Sequence, residues 1–262
     1  MKGRLDRMKY LEGVLKEAGE LLKEGFYGSF ETNFKGKADL VTEYDVKVEN
    51  FLIQKLKLAY PEFDIVGEES YEKEEYPQSG IFIDPIDGTT NFVHGLPMTA
   101  LSVGIWKNGE PLVGGVYNPI LNEMYLAAKG EGAYLNGKRL SVSKTRTLQD
   151  SLIATGFPYT KNSSPIDLGF VLNSLTNLLP KVRDIRRFGS ASIDLCLVAR
   201  GSFDGFYEIN LKPWDVAAGI LILLEAGGKV FSIGGEAYSF ENRVIVATNG
   251  AIHEALLQEV TY

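Results

Sequence analysis

The chain is nearly free of cysteine and histidine, and this scarcity excludes several common kinds of functional site. Its 262 residues include one cysteine, so an intrachain disulfide is impossible. That residue, Cys196, lies in the apolar run IDLCLVA and is expected to be a small buried hydrophobe. Only two histidines occur, His94 and His253, so neither a histidine-rich zinc or copper site nor a Ser-His-Asp triad is favoured.

The chain also lacks long apolar runs and an excess of positive charge. No stretch of about 18 apolar residues is present, so no membrane span is expected. The first residues, MKGRLDRMKYLEG, are charged throughout and do not resemble a signal peptide. A formal net charge of -7 and a pI of about 5.1 argue against a nucleic-acid or anionic-membrane partner. We therefore expect a cytoplasmic protein with no membrane partner and no direct nucleic-acid binding.

What the chain does contain is enough apolar sequence for one large domain. Hydrophobic residues make up 45% of it, and helical and strand patterns alternate without a repeat or a linker. This interleaving predicts an α+β fold, with 1–262 as a single domain of two fused halves, approximately 1–140 and 141–262. Helices are predicted at 5–26, 43–60, 165–179, 190–201, 213–226 and 251–260, and an antiparallel meander of strands at 99–140.

The most informative stretch is IFIDPIDGTTNF, residues 81–92, in which a strand runs into an acidic turn. Asp84 and Asp87 lie three positions apart, and Pro85 disfavours helical backbone at Asp84. Two carboxylates can therefore converge at the end of one strand. Gly88 allows the backbone to approach a ligand closely, and the backbone N–H groups that follow attract anions.

Carboxylates beside an anion-binding turn predict a hard divalent cation that bridges them to a substrate phosphate. Thr89 and Thr90 are expected to cap the helix that follows. An Asp-Gly turn without any metal explains this stretch about equally well when it is taken alone. The pattern DPIDG therefore leaves a structural turn and a metal site open.

Acidic residues at the ends of other predicted elements favour the metal site. Glu68 and Glu69 follow the predicted strand DIVG, Glu208 follows SFDGFY, and Asp215 opens the last long helix. Each of them alone is explained by a solvated strand end or by the helix dipole. An aspartate in the apolar run PWDVAAGI is nevertheless costly to keep ionised without a cation.

Four segments of the chain resemble the inositol monophosphatase family of metal-dependent, lithium-sensitive phosphatases. They are GEES at 67–70, DPIDGTTNFVHG at 84–95, GSASIDLCLVA at 189–199 and PWDVAAGILILLEAGG at 213–228. The resemblance implies a layered αβαβα sandwich of the inositol monophosphatase/fructose-1,6-bisphosphatase type. It also implies a homodimer and a small phosphorylated polyol or sugar as the substrate.

The same resemblance implies roles for individual residues. Two or three Mg²⁺ ions would be held by Glu68, Asp84, the carbonyl of Ile86, Asp87 and Asp215. Backbone N–H groups of Gly88 and Thr89 would hold the phosphate. The residues implied in activating the attacking water are Thr89, its carboxylate partner Asp45, Glu68 and Asp87.

Further positions match the family's substrate contacts and its mobile loop. Ser190, Ala191, Glu208 and Asp215 fall where the family contacts substrate hydroxyls, and Arg186 is a further candidate for a substrate or dimer contact. Lys37 and Asp39 match the mobile metal-site loop, and Lys35 competes with Lys37 for the lysine role.

The substrate stays open among members of this family. Inositol-1-phosphate is favoured, because DGTTNF differs from the DGTKEF of 3'-phosphoadenosine phosphatases. Fructose-1,6-bisphosphatase or dual activity is the main alternative, and histidinol phosphate is another. A haloacid dehalogenase-type enzyme would make Asp84 a nucleophile, but its DxDGT pattern is one residue shorter. A transcription-associated binding role is the alternative from another class.

Overall fold

The computed structural model of the protein describes residues 3–29, 32–34, 40–73 and 75–262, with backbone alone for 32–34. Among these residues, no helix combines the length and the apolar character needed to cross a membrane. The helices are α1 (Arg4–Tyr27), α2 (Glu43–Ala59), α3 (Thr89–Val93), α4 (Pro165–Leu178), α5 (Ala191–Ala199), α6 (Pro213–Glu225) and α7 (His253–Leu257). Short 3-10 helices span Leu148–Asp150 and Tyr159–Asn162.

The strands form two large sheets and one small pair. The pair consists of β1 (Thr32–Phe34) and β2 (Leu40–Thr42). A seven-stranded sheet runs in chain order through β3 (Asp64–Gly67), β4 (Gly80–Asp87), β5 (Ala100–Lys107), β6 (Glu110–Asn118), β7 (Glu123–Ala128), β8 (Gly132–Leu135) and β9 (Lys138–Arg139). The strands β3 and β4 pair in parallel, and every later pair in this sheet is antiparallel. This confirms the antiparallel meander predicted at 99–140.

The second large sheet has five strands and a mixed topology. Its members are β10 (Leu152–Thr155), β11 (Asp184–Arg186), β12 (Gly205–Ile209), β13 (Lys229–Ser232) and β14 (Val244–Thr248). Their spatial order is β11-β10-β12-β14-β13. The strand β10 runs parallel to both of its neighbours, whereas β14 runs antiparallel to both of its neighbours.

Three apolar clusters arrange these elements into five layers. One cluster joins α1 and α2 to one face of the seven-stranded sheet. A second joins the other face of that sheet to α5 and α6, which also cover the five-stranded sheet. The third packs α4 and α7 on the remaining face of the five-stranded sheet. The layers alternate helix, sheet, helix, sheet, helix, so the expected αβαβα sandwich is confirmed.

The central helix α6 lies unusually close to the seven-stranded sheet because small residues face each other. A side chain at Gly104 would place its Cβ 2.7 Å from the Cβ of Ala217. The indole N–H of Trp106 donates a hydrogen bond of 3.1 Å to the carbonyl of Ala217. This close packing fixes the first turn of α6, and with it Asp215, relative to the end of β4.

Local patterns predicted most elements correctly and missed those that depend on long-range pairing. The helix α2 begins near the predicted residue 43, with a capping box formed by Thr42 and Asp45. The strand β11 was not predicted, because its three residues acquire strand geometry only by pairing with β10. The closing helix is shorter than 251–260, since it begins at His253 and ends at Leu257. The division of the chain near residue 140 stays a prediction.

Candidate active site

A cavity of about 260 Å³ opens where the two large sheets and the central helices meet. Its walls come from the end of β4, the turn into α3, the turn into α5, the end of β12 and the start of α6. Five carboxylates from four separate segments line it, those of Glu68, Asp84, Asp87, Glu208 and Asp215. Residues scattered over the sequence are thus brought to one opening.

The end of β4 departs from regular pairing where it carries the acidic turn. Asp84 pairs with Ser102 and Asp87 pairs with Ala100, so the register shifts between them. The backbone N–H of Ile86 donates a hydrogen bond of 3.1 Å to Oδ1 of Asp84. Because of this irregularity, both aspartates line the same cavity, as the spacing around Pro85 predicted.

Gly88 begins the short helix α3 from a conformation that other residues adopt only with strain. Its φ is 87°, and a Cβ there would lie 2.8 Å from the carbonyl oxygen of Met98. Gly88 itself is the N-cap of α3, so the expectation that Thr89 and Thr90 cap this helix was wrong. The hydroxyl of Thr89 lies 3.1 Å from the carbonyl oxygen of Ile86 and 3.2 Å from Oδ1 of Asp45.

Asp45 is completely buried and holds the start of α2 against the turn at Thr89. Its Oδ2 accepts hydrogen bonds from both the backbone N–H and the hydroxyl of Thr42, at 2.8 Å and 2.6 Å. Its Oδ1 lies 3.2 Å from the hydroxyl of Thr89. One carboxylate therefore serves as helix cap and as partner of a cavity residue.

Two helix starts position further carboxylates. Oδ2 of Asp87 accepts hydrogen bonds of 2.7 Å from the hydroxyl of Ser190 and from the backbone N–H of Ser192, at the start of α5. Oδ2 of Asp215 accepts a hydrogen bond of 2.6 Å from the backbone N–H of Lys212, at the start of α6. Each carboxylate thus has one oxygen engaged with the backbone.

Glu49 positions the segment that carries Glu68. It is buried in α2, and its Oε2 accepts a hydrogen bond of 2.8 Å from the backbone N–H of Glu69. The backbone N–H of Glu68 donates to the carbonyl of Ile83 in β4. The sequence analysis missed Glu49, since its helical spacing does not distinguish a buried carboxylate from an exposed one.

The electrostatics of the cavity disfavour ionised carboxylates without a cation. Burial raises the pKa of Asp84 well above its ordinary value, and the charges of Glu68, Asp87 and Asp215 raise it further. Burial also raises the pKa of Asp215, and Asp87 and Glu68 add to the effect. For Asp87, burial raises the pKa and the hydrogen bonds from α5 partly offset it.

Two more buried carboxylates lie beyond the acidic turn. Burial raises the pKa of Glu208 to about 8, although the charge of Arg187 opposes the change. Burial likewise raises the pKa of Asp194 well above its ordinary value, with Glu208 and Asp87 contributing. Neither oxygen of Asp194 has a hydrogen-bond partner among the described residues. Sequence analysis missed Asp194, because it stands in a mostly apolar run that gives α5 no polar face, and all of this helix is buried.

The donor set of the cavity suits a hard divalent cation. The carboxylates of Glu68, Asp84, Asp87 and Asp215 and the carbonyl of Ile86 are oxygen donors, and no histidine or cysteine among the described residues lines the cavity. In the part of the chain that the structure describes, no three His, Cys, Asp or Glu side chains already stand where they could close around one ion. The backbone hydrogen bonds of Asp87 and Asp215 turn one oxygen of each toward a helix start. Binding therefore requires their other oxygens and a rotation of neighbouring side chains.

The structure brings together most of the residues singled out in the sequence. The cavity is lined by Glu68, Asp84, Ile86, Asp87, Gly88, Thr89, Ser190, Ala191, Glu208 and Asp215. Asp45 lies behind Thr89, in contact with its hydroxyl. Lys35, Lys37 and Asp39 lie outside the described residues, so their roles stay predictions.

Arg186 does not line the cavity, and its expected dimer contact stays a prediction. Its guanidinium pairs with Oδ2 of Asp184 at 2.5 Å and donates to the carbonyl of Ile185 at 3.0 Å. The neighbouring Arg187 lines the cavity instead. Adjacent positions in an extended turn point in different directions, and the sequence does not show which of two arginines faces a ligand.

Asn91 is another residue that the sequence analysis missed. Its side-chain amide donates to the carbonyl of Met98 at 2.7 Å and to the carbonyl of Phe188 at 2.8 Å. It therefore ties the turn after β4 to the turn before α5, on which Ser190 lies. Its position directly after two threonines indicated only that a helix begins there.

Comparison with known proteins agrees with this geometry. The inositol monophosphatase family matches residues 5–261 of the chain. The chain is similar to "Inositol monophosphatase 3" of Solanum lycopersicum, with 40% identity over 93% of this chain and 92% of the relative. It is similar to "Fructose-1,6-bisphosphatase/inositol-1-monophosphatase" of Aquifex aeolicus, with 40% identity over 95% and 94%.

A solved structure resembles the whole fold. The extragenic suppressor protein suhB from Bartonella henselae superposes with a TM-score of 0.90 and 39% identity, covering 98% of each chain. Sequence relatives and structural neighbour thus agree over almost the entire length. The chain belongs to the inositol monophosphatase family of phosphatase enzymes.

Proposed function

We propose that this protein is a Mg²⁺-dependent phosphate monoester hydrolase that releases inorganic phosphate from inositol-1-phosphate. The observation that carries the proposal is the convergence of carboxylates from β4, α6 and the end of β3 around one cavity. They border the backbone of Gly88 and Thr89, where a helix begins. A phosphate monoester needs both features, since its charge must be neutralised and its oxygens must be held.

Two or three Mg²⁺ ions would be held by Glu68, Asp84, Asp87, Asp215 and the carbonyl of Ile86. Bound Mg²⁺ supplies neutralisation of phosphoryl charge and a lower pKa for the attacking water. Without a cation the cluster resists full ionisation, because burial and mutual repulsion raise the pKa of three of its members. This resistance supports a cation-binding role over a purely structural one.

The chain's own groups orient the reactants. The hydroxyl of Thr89 accepts a hydrogen bond from the attacking water and donates its own hydrogen bond to Oδ1 of Asp45, 3.2 Å away. Oδ2 of Asp45 is held by two hydrogen bonds from Thr42, so the carboxylate cannot rotate freely. Backbone N–H groups of Gly88 and Thr89 hold the phosphate oxygens.

The polyol part of the substrate occupies the side of the cavity formed by α5 and β12. Ser190, the backbone of Ala191 and the carboxyl group of Glu208 line this side. A buried carboxyl group with a pKa of about 8 both donates and accepts hydrogen bonds near neutral pH, as vicinal hydroxyls require. These groups therefore fit a polyhydroxylated ring.

Fructose-1,6-bisphosphate is the second candidate substrate, alone or with inositol-1-phosphate. The printed name of the Aquifex aeolicus relative, which is 40% identical, includes both activities. The plant relative at the same identity is named for inositol monophosphatase alone. Identity of this degree does not separate the two substrates. A transcription-associated role stays a prediction.

Phosphate release from a substrate panel, with and without Mg²⁺, tests the proposal. The panel contains inositol-1-phosphate, fructose-1,6-bisphosphate, 3'-phosphoadenosine-5'-phosphate and histidinol phosphate. We expect Mg²⁺-dependent release from inositol-1-phosphate, from fructose-1,6-bisphosphate or from both, and inhibition by millimolar Li⁺. Release that is unaffected by chelation of Mg²⁺ would overturn the proposed mechanism.

We also propose that the protein is a cytoplasmic homodimer. Exposed apolar side chains at Leu168 and Leu172 of α4 and at Leu179 directly after it share one side of the helix, which is unusual for a helix facing water. Light scattering of the purified chain is expected to give twice the monomer mass of 28.9 kDa. A monomer mass across the micromolar range would contradict this.

A further inference from the structure

A second cavity lies apart from the active site and has mainly aromatic walls. Its volume is about 560 Å³, which is larger than the active-site cavity and within the roughly 300–1,000 Å³ of small-molecule sites. Its walls come from the segment between β3 and β4, from the end of β5 with the turn after it, and from the loop between β13 and β14. The two cavities share no lining residue in the part of the chain that the structure describes. We call this second cavity the aromatic cleft.

Four aromatic side chains line the aromatic cleft, those of Tyr76, Trp106, Tyr238 and Phe240. The ring of Phe240 packs between two others, with its centroid 4.6 Å from that of Trp106 and 4.9 Å from that of Phe82. Tyr76 and Tyr238 are half-buried, so part of each side chain remains open to a ligand. Ring faces of tryptophan, tyrosine and phenylalanine attract cations, because their π electrons carry partial negative charge. The cleft is therefore an apolar surface that also favours positive charge.

The two charged side chains of the cleft are both acidic. Glu75 lines it from the segment before β4 and Glu241 from the loop before β14, and both are exposed. Among the residues that the structure describes, no lysine or arginine lines the cleft. Within the same set, neither carboxylate has a basic side chain within 4.0 Å. The cleft thus repels an anion such as phosphate and complements a cation.

Hydrogen bonds between the surrounding loops fix two of the walls before any ligand arrives. The backbone N–H of Gly109, in the turn after β5, donates to the carbonyl of Gln78 at 2.8 Å. The backbone N–H of Asn108 donates to the hydroxyl of Ser79 at 2.9 Å. These bonds join the segment before β4 to the turn after β5. A preformed cavity loses less entropy when it binds a ligand.

The cleft contacts the start of α6 through two of its aromatic side chains. The ring of Tyr76 meets that of Trp214 edge to face, with centroids 6.1 Å apart. The indole N–H of Trp106 donates to the carbonyl of Ala217. Trp106 and Trp214 are the two tryptophans of the chain, so both of them lie in or next to the cleft. Their fluorescence can therefore report a ligand bound there.

We propose that the aromatic cleft binds a small organic cation of the quaternary or alkyl ammonium class. The rings contact the apolar substituents of such a cation, and Glu75 and Glu241 balance its charge. An inorganic cation lacks the apolar surface that would replace water against the rings, and a neutral apolar molecule leaves both carboxylates without a partner. This site is separate from the catalytic cavity, and the inference does not depend on the phosphatase function.

A matched pair of probes tests the charge preference of the cleft. Choline and dimethylbutanol have the same shape, but a neutral carbon in dimethylbutanol replaces the charged nitrogen of choline. Each is titrated into the full chain while tryptophan fluorescence is recorded, with excess Mg²⁺ present to compete for the carboxylates of the catalytic cavity. We expect choline to bind at least about 10-fold more tightly than dimethylbutanol, as several cation–π contacts and two carboxylates predict.

Two results of this titration would overturn the inference. Equal affinities for choline and dimethylbutanol would show that the cleft takes an apolar occupant, such as a side chain of a second copy of the chain. The absence of a saturable change up to about 100 mM choline would show that the rings and carboxylates do not form a cation site, because such contacts predict millimolar or tighter binding.

Two variants place the bound cation in the cleft. Tyr76→Leu removes one ring and keeps an apolar side chain, whereas Glu241→Gln removes one charge from an exposed position. Each should weaken choline binding by about 3-fold or more. Circular dichroism checks that Tyr76→Leu is folded, and Glu241→Gln tests the site without altering any packed side chain.

The matched control is Glu236→Gln, which removes an exposed carboxylate from the same loop but outside the cleft. Its affinity for choline should equal that of the wild type. Wild-type affinity in both Tyr76→Leu and Glu241→Gln would overturn the inference, because choline would then bind elsewhere. An equal loss of affinity in Glu236→Gln and Glu241→Gln would also overturn it, since the effect would come from the net charge of the protein.

Discussion

Asp84 and Asp167 are the same side chain at almost the same depth, yet their surroundings act on them in opposite directions. Asp84 is 2% exposed and Asp167 is 1% exposed. The pKa of Asp84 is raised, by burial and by acidic neighbours. Burial also raises the pKa of Asp167, but its hydrogen-bond donors and the charge of Arg243 outweigh burial and leave the pKa lowered.

The difference lies in what each carboxylate faces. Asp167, near the start of α4, accepts hydrogen bonds from the side chains of Thr160, Asn210 at 2.7 Å and Arg243 at 2.6 Å. Its negative charge is balanced within the chain. Among the described residues, the charged groups that act on Asp84 are all acidic, so none of them balances its charge. A buried carboxylate without an internal cation is thus the better indicator of function.

The largest expected effect comes from removing one charge of the cavity. Asp87→Asn should lower kcat/KM by at least about 100-fold and weaken Mg²⁺ binding, because one metal ligand loses its charge. The fold should remain, since an amide oxygen can still accept from the backbone of Ser192. Phosphate release and Mg²⁺ titration measure the effect, and circular dichroism checks the fold. Full activity would remove the carboxylate cluster from the mechanism.

The second prediction compares how Asp84 and Asp167 affect the free energy of unfolding. Asp167→Ala should lower the free energy of unfolding by about 1–3 kcal/mol, because Arg243 and Asn210 lose their acceptor. Asp84→Asn should instead raise the stability of the metal-free protein, because a buried repelled charge is removed. Urea unfolding in EDTA compares them.

The matched control for this contrast is Asp184→Ala, which removes an exposed carboxylate paired with Arg186. Exposed ion pairs contribute little, so this variant's free energy of unfolding should stay close to that of the wild type. If Asp84→Asn destabilised the metal-free protein as much as Asp167→Ala, the two carboxylates would have the same structural role.

A third prediction concerns the metal-free protein between about pH 4 and pH 8. Glu208 has a native pKa of about 8, so over this range the folded protein keeps a proton that the unfolded chain has released. The free energy of unfolding should therefore fall as the pH rises. Glu208→Gln should reduce this slope, as measured by urea unfolding at several pH values in EDTA. An unchanged slope would contradict the raised pKa.

The smallest expected effect lies at acidic pH. The native pKa of Asp167 is lowered, so its stabilising contribution is complete above the unfolded value of about 3.9 and is lost as the pH falls through the native value. Wild type should lose more stability than Asp167→Asn between about pH 4 and pH 2. Parallel acid unfolding curves for the two proteins would show that Asp167 is not paired in solution.

The sequence predicts those parts of the site that are encoded locally. Asp84 and Asp87 were found because Pro85 and Gly88 stand in the same short segment, whereas the role of Asp45 followed from the family resemblance. The predicted N-cap of α3 was wrong. Gly88 takes this position because its left-handed backbone packs closely against Met98, and the sequence does not show that contact.

Other parts of the site depend on contacts between distant segments. Arg187 differs from Arg186 only in the direction of its side chain, which the pairing of β11 with β10 determines. Asp167 looks like an ordinary residue of a first helical turn, and its partner Arg243 is 76 positions away. The five layers followed from the family resemblance, because local patterns do not show which sheet faces a helix covers.

The two hydrogen bonds from the side-chain amide of Asn91 should slow the opening of the site. They join the turn after β4 to the turn before α5, so opening the cavity from within requires breaking them. A ligand that contacts both turns would hold them together in the same way. Hydrogen exchange at the backbone amides around Gly189 and Ser190 should therefore be slower when Mg²⁺ and phosphate are bound. The exchange lifetime of these amides would then report whether the site is occupied.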